Sequence, residues 1–472
     1  MAGRPAQRQL QRRGLVVGGA AGRRACAHWL HGRELRRLRD RCRWLHREGL
    51  HQHRACVSIR PAQGGVGHRP LLVIDPPPTQ PRSLLRGTAR SLLAGAAGGG
   101  LAALVVSTTL MLQKWIWGAS VERGLPTDRS LLWCLAWSGT IGVALSLLQR
   151  HRSNSALPEM SETLAELQEP EGLNTHHGLR QVIGGMLAIT GGGTLGPEAL
   201  MTRLVAVASH AIWKGADRDL VAAAMAGSLG LFRSPLVGGA AIAGCQWELI
   251  WRWLPGTIGG VAGFVAFHGL SDLGGGMRGV AYAWPSDPSQ RLGALLAAIL
   301  AGLAGWLAGQ LIKCWRQWLH QLELLQRFWW IPIGTGLLIG LCLWGLPLAG
   351  FSGENQLQPL VLNNWTLDTS VLMLSALAKL LMVGLCLETG WRGGQFFPVI
   401  LASSAFGMGL HQWIPWIGSI DTWSAGVVGG CLAVLLNSPL LGLVLGLTLL
   451  QGHGAGALVI GLLVGLILQR RH

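Results

Sequence analysis

From Ser83 onward, apolar runs alternate with short polar breaks. The pattern predicts membrane helices over about 91–117, 130–148, 179–190, 198–213, 220–232, 236–251 and 256–270. It continues over 292–319, 328–346, 370–387, 397–414, 422–436, 440–450 and 454–469. Many of these runs are shorter than the roughly 20 residues that a straight spanning helix needs. Short and broken helices with Gly or Pro between them bring helix ends to the middle of a bilayer. Comparable short segments break near Pro197 in one half and near Pro398 in the other, which hints at an inverted internal repeat.

The stretch 190–203, TGGGTLGPEALMTR, is the most informative of the breaks. Three glycines lead to Gly196, then Pro197 and Glu198 open an apolar helical run. Proline suits the first helical turn because the missing N–H has no intrahelical partner to lose. The N–H groups behind it are unpaired, so this end is partly positive and attracts anions. Glu198 places its own carboxylate where a bound anion would sit. With apolar sequence on both sides, an ionisable group here lies at membrane depth, where it is costly and points to function.

Composition agrees with a bilayer setting. Half of the 472 residues are hydrophobic and 13% are charged, with 69 glycines and 22 tryptophans. Glycine suits closely packed membrane helices, and tryptophan suits the lipid–water boundary. Nine cysteines occur without a CxxC pair or metal-type spacing, so neither a metal site nor a cofactor is expected. The net charge of +17 is concentrated at the start, where residues 1–90 hold 19 Lys+Arg against 4 Asp+Glu. A uniformly basic nucleic-acid binder is therefore excluded. Residues 1–82 are rich in Arg, His and Cys and show no sustained apolar period. They read as a basic arm on anionic lipid or nucleic acid, as a transit peptide, or as a segment foreign to the working protein. The abrupt break at Pro76-Pro77-Pro78 favours the last. The expected division is thus an extension over 1–82 and a membrane domain over 83–472, its halves at about 83–271 and 290–470.

Three further motifs accompany Glu198. Asn154-Ser155-Ala156-Leu157-Pro158 joins a cap-type hydroxyl to a proline. Gly393-Gly394-Gln395-Phe396-Phe397-Pro398 is a glycine turn feeding a proline-started helix. Phe232-Arg233-Ser234-Pro235-Leu236 and Leu436-Asn437-Ser438-Pro439-Leu440 repeat one helix–break–helix theme. Ser155, Glu198 and Phe396 each sit at the start of a short helix. If the three ends converge, they make a dehydrated anion site from N–H groups and one hydroxyl.

On these motifs the chain, over about 90–469, resembles the CLC chloride channels and proton/chloride antiporters, whose members carry GSGIP, GREGP and GxFxP in this order. Residues 154–158, 196–200 and 394–398 take those places, the third completely and the first two in part. The resemblance implies an all-α polytopic membrane protein with the CLC-type inverted repeat, assembled as a homodimer with one pore per subunit and transporting chloride. It implies Glu198 as gate and Ser155, Gly394, Gln395, Phe396 and Phe397 as anion-binding positions. It also places the inner proton-relay glutamate on Cys245, a thiol poorly suited to relaying protons at neutral pH. The family's inner-gate tyrosine lies on a further helix, before which this chain stops. Its single tyrosine, Tyr282, falls between the halves. Weak or absent proton coupling is therefore expected, with a coupled antiporter as the alternative and Glu248 as a substitute for Cys245.

Several residues have plainer readings. Lys379 would snorkel or meet a helix C-terminus, Glu388 and Arg392 would pair at the surface, and His210, His268 and His453 stand isolated. The last run carries glycines at GxxxG spacing, among them Gly461 and Gly465. That face fits packing within the subunit as well as a dimer interface, and the resemblance tips it toward the dimer. Basic residues before the first span and at 470–472 put both termini on the cytoplasmic side of a plasma or inner membrane, with no soluble domain after Gln469. An intramembrane enzyme is the competing class, but GxSxG, HExxH and CxxC are all missing from the sequence. A basic-arm adaptor on an anchor would need one or two spans rather than a dozen.

Overall fold

A computed structural model describes residues 81–122, 126–150, 157–160, 162–163, 177–213, 218–232, 236–239, 250–271, 282–322, 325, 328–346, 348–362, 367–436, 439–450 and 454–470. The expected extension therefore lies outside the described residues up to position 80. The first half contains α1 (Pro81–Trp117), α2 (Ala119–Glu122), α3 (Leu131–Gln149), α4 (Gly178–Thr190) and α5 (Glu198–Trp213). It continues with α6 (Arg218–Ser228), a 3-10 turn (Leu229–Phe232) and α7 (Ile250–Ser271). The second half contains α8 (Pro288–Gln321), α9 (Ile331–Gly345), α10 (Leu357–Val361) and α11 (Thr369–Glu388). It ends with α12 (Phe396–Trp413), α13 (Ile420–Leu435), α14 (Pro439–Leu449) and α15 (Ala455–Gln469). Among the described residues there is no β-strand, and four helices (α1, α3, α8 and α11) are long and apolar enough to cross a membrane.

Small residues decide which helices meet. In the first half Gly95 and Gly99 of α1 lie against Gly259 and Gly263 of α7, and Gly227 of α6 lies against Gly95. An added Cβ at any of them would run into backbone, so the three helices touch main chain to main chain. The second half repeats this seam. Gly302 and Gly305 of α8 face Gly461 of α15 and Val427 of α13, and Gly461 also faces Gly426. The two three-helix clusters are counterparts in the repeat. The helices α3 and α9 run antiparallel, with Gly142 on Pro332, Ser138 on Gly336 and Cys134 on Gly340. Every step of four along one helix is matched by a step of four back along the other. An axis of two-fold pseudosymmetry crossing both helices has this effect, and it is the inverted arrangement the broken pattern predicts.

The seam corrects one expectation. Gly461 and Gly465 do not face a second subunit: Gly461 packs on Gly426, and Gly465 on Gly430 and Ala433, inside the same chain. Leu463 and Ile467, on the other side of α15, are the exposed residues. Two settings stand out among the described tryptophans. Trp115, Trp344 and Trp416 are exposed near helix ends, as boundary residues should be. Trp117 and Trp391 are wholly buried and donate their indole N–H to the carbonyls of Thr190 and Pro332 at 2.8 Å each. Tyr282 is also buried, with its hydroxyl 2.9 Å from Ser404 Oγ on α12. It ties the segment between the halves to the second one.

Candidate functional site

The breaks after α4 and α11 are built alike. Each helix ends at a threonine or glutamate and then passes through a glycine with left-handed backbone, Gly192 at φ +88° and Gly390 at φ +90°. Four residues further on, Gly196 and Gly394 pair as an isolated antiparallel bridge. The Gly196 N–H donates to Gly394 O at 2.7 Å, and the Gly394 N–H donates back to Gly196 O at 2.8 Å. Two residues later α5 and α12 begin, at Glu198 and Phe396. The glycine pair thus joins the two halves at equivalent positions and sets two helix N-termini side by side.

Glu198 uses this geometry. It is wholly buried, and its Oε1 accepts the Phe396 N–H at 2.7 Å, a bond spanning 198 residues of chain. The carboxylate of one repeat therefore occupies the helix end of the other. Both paired glycines are required for this. A Cβ on Gly196 or Gly394 would overlap the Glu198 carboxyl group itself. The other oxygen, Oε2, has no hydrogen-bond partner although it is buried. An unpartnered buried carboxylate oxygen is costly and marks a place where a proton, a water or a displaced side chain belongs.

Phe396 and Phe397 are buried beside it. Phe232, closing the 3-10 turn of the first half, stacks on Phe397 with ring centroids 5.2 Å apart and meets Phe396 edge-on at 6.4 Å. Gly394 lies against the carboxyl group, as described. The Gln395 side chain turns aside, with Nε2 donating to Glu159 Oε2 at 3.2 Å. Glu159, in the segment after Ser155, is in turn bound by Arg316 of α8 at 2.6 Å. The structure therefore brings Glu198, Gly394, Phe396 and Phe397 together. Ser155, Cys245 and Glu248 lie outside the described residues.

Glu388 departs from the sequence reading, and Lys379 takes the helix-C-terminus alternative of the two expected for it. Glu388 does not pair with Arg392; its carboxylate binds Arg316 at 3.0 Å and His320 at 3.2 Å, both from α8. Lys379 does not snorkel, because it is wholly buried. Its ammonium donates to the carbonyls of Leu348, Gly350 and Phe351 at 2.9, 2.7 and 2.9 Å, just beyond the end of α9. Sequence reasoning missed the Phe232 stack and the buried polar segment 352–356, which holds Ser352, Glu354 and Gln356. A carboxylate within a Ser-Gly-Glu-Asn-Gln run reads as an ordinary polar loop. Its buried setting becomes visible only once Lys379 is seen gripping the neighbouring carbonyls.

The family described as Voltage gated chloride channel matches residues 138–470. A curated relative named "Putative ion-transport protein YfeO", from Escherichia coli O1:K1 / APEC, is 25% identical over 366 residues, covering 75% of this chain and 85% of the relative. Among solved structures, a slow cyanobacterial Cl⁻/H⁺ antiporter is similar with a TM-score of 0.64 at 19% identity, covering 84% of this chain and 95% of that one. A CLC-type fluoride/proton antiporter is similar with a TM-score of 0.62 at 18% identity, covering 82% and 96%. With the matched family spanning most of the chain and the inverted helical fold behind it, this integral membrane protein belongs to the voltage-gated chloride channel family, the CLC family.

Proposed function

We propose that this chain moves chloride across the membrane along a path that Glu198 opens and closes. The observation that carries this reading is the hydrogen bond from the Phe396 N–H to the Glu198 carboxylate at 2.7 Å. A helix N-terminus that holds a carboxylate holds an anion by the same N–H groups once the carboxylate leaves. Protonation removes the charge that keeps Glu198 there, so acid on the accessible side opens the path. Phe396, Phe397, Gly394 and Gln395 form the anion's surroundings on this reading, and Ser155 supplies the hydroxyl. The protein works as a homodimer with a path in each subunit, and both termini face the cytoplasm of a cell membrane. Residues 1–82 are dispensable to the membrane domain over 83–472.

Proton coupling is weak on this reading, because Cys245 replaces the inner glutamate and a thiol holds its proton at neutral pH. Coupled antiport is the second reading. It is favoured by two solved structures with this fold that are described as antiporters. The role of Glu198 is tested by chloride efflux from proteoliposomes. Glu198→Gln and Glu198→Ala should conduct faster than wild type and lose most of their response to acid. Efflux no larger than wild type, with the pH response intact, would end this assignment.

A further inference from the structure

The loop that carries the gate is held from both halves of the chain. It runs from Thr190, at the end of α4, to Glu198, at the start of α5. Side chains of the first half take its opening carbonyls. Trp117 Nε1 donates to Thr190 O at 2.8 Å, and Ser138 Oγ donates to Gly191 O at 2.9 Å. The second half holds the middle. The Phe351 N–H donates to Gly192 O at 3.2 Å, and Thr194 Oγ1 donates to Ala349 O at 2.7 Å. The far end is the glycine bridge from Gly196 to Gly394. The middle of the gate loop is thus hydrogen-bonded to segment 349–351.

That segment does not keep its shape unaided. Phe351 has a left-handed backbone, φ +58°, and among the described residues it is the only one other than glycine that does. A bulky residue there is costly, and the conformation persists only where its surroundings over-determine it. Lys379 supplies the constraint. Its Nζ donates to the carbonyls of Leu348, Gly350 and Phe351 at 2.9, 2.7 and 2.9 Å. Three carbonyls within four residues therefore turn toward one point, where the three N–H donors of an ammonium meet them. The Phe351 ring in turn meets Trp117 edge-on, with centroids 5.6 Å apart. This is the same tryptophan that holds Thr190.

The repeat has no second ammonium at this position. Gly192, Gly196 and Glu198 recur as Gly390, Gly394 and Phe396, each 198 positions on. By the same step Lys379 answers to Gln181, whose Oε1 accepts from Arg203 Nε at 2.9 Å. The lysine stands only in the half whose segment supports the loop of Glu198.

Building on the gate reading, we propose that Lys379 is a positioning residue for Glu198. Its three bonds go to carbonyls and none to the carboxylate. It fixes 349–351, and that segment fixes the loop that aims Glu198 at the Phe396 N–H. Where the hold is lost, the carboxylate meets the N–H less squarely and the closed form is weakened. Less acid then suffices to open the path, so acid activation shifts to higher pH.

The test follows chloride efflux from proteoliposomes of the full chain, from acidic to neutral pH. Thr194→Val removes the bond to Ala349 without changing any charge, and it leaves Glu354 on the held segment and Cys386 on α11 unaltered. Its acid-activation midpoint should move to higher pH by about half a unit or more, the scale of one ordinary hydrogen bond. Thr194→Ser, which keeps the hydroxyl, should stay near wild type. Lys379→Gln should move the midpoint the same way as Thr194→Val. The double variant should not exceed the larger single shift, because both changes act through one segment. A wild-type midpoint in Thr194→Val overturns the proposal even if Lys379→Gln does not fold. So does a wild-type midpoint in Lys379→Gln, a Thr194→Ser shift as large as that of Thr194→Val, or a double variant equal to the sum of its singles. Glu198→Gln in the same series keeps the two readings apart. If it is open while Thr194→Val matches wild type, the gate reading stands and the positioning role falls. If it is not open, the gate reading has failed and the positioning role fails with it.

Discussion

Gly394→Ala should open the gate without touching the gating residue. Gly394 has no left-handed backbone to protect, so alanine meets no conformational obstacle there. Its Cβ would instead overlap the Glu198 carboxyl group. The carboxylate must swing away and give up its bond to the Phe396 N–H. A hydrogen bond to an ionised group contributes about 1.5–3 kcal/mol. At about 1.4 kcal/mol for each factor of ten, losing it moves the closed-to-open equilibrium by roughly ten- to a hundredfold. On the gate reading, chloride efflux at neutral pH should rise toward that of Glu198→Ala. The double variant should conduct no faster than Glu198→Ala alone, because both changes take the same carboxylate off the Phe396 N–H. A monodisperse Gly394→Ala protein with wild-type efflux and wild-type acid response would refute the packing argument. It would mean that the carboxylate does not rest against Gly394 in the membrane.

Lys379→Met should lower thermal stability in detergent markedly. It leaves three buried carbonyls without a donor, at about 1–3 kcal/mol for each unsatisfied group, and a melting temperature equal to wild type would contradict the buried geometry. Gly461→Leu with Gly465→Leu should prevent folding of the subunit rather than release intact monomers, since both glycines abut α13. Size-exclusion chromatography giving a stable monomer would restore the dimer-interface reading. Under a chloride gradient, proteoliposomes should acidify or alkalinise only weakly. Uphill proton movement at a fixed ratio to chloride would establish antiport instead.

Local signals in the sequence located most helices, and their failures have physical causes. The start of α5 at Glu198 was legible because Gly196-Pro197 both breaks the chain and suits a first turn. The start of α1 at Pro81, ten residues before the predicted one, was hidden by Arg82, Arg86 and Arg90. The helix α7 was expected after Pro255, yet it begins at Ile250 and takes that proline inside its second turn. The helices α2 and α10, with four and five residues, are too short to show a period. In the site, Glu198 and Phe396 announced themselves by their breaks. The Phe232–Phe397 stack and the Arg316 contacts to Glu159 and Glu388 join residues far apart in the chain, and nothing local marks them. The glycine stripe of α15 shows the same limit. Its spacing promised a close helix partner but could not say whether the partner was the same chain or another copy.

The bond between Glu198 and the Phe396 N–H also has a concentration attached to it. The carboxylate is a ligand tethered to its own binding site, and it never has to diffuse there. Tethering turns binding into an intramolecular event whose effective concentration is set by the link rather than by the solution. A link this short and stiff leaves the carboxylate little volume to explore. On the proposed reading free chloride competes with a rival that is always present, and its apparent affinity scales with the open fraction. On that reading acid and chloride are alternative ways to displace one occupant. More protons weaken the rival, and more chloride outnumbers it. The chloride concentration for half-maximal flux should drop as pH falls. In Glu198→Ala, where the rival is gone, that dependence on pH should largely vanish.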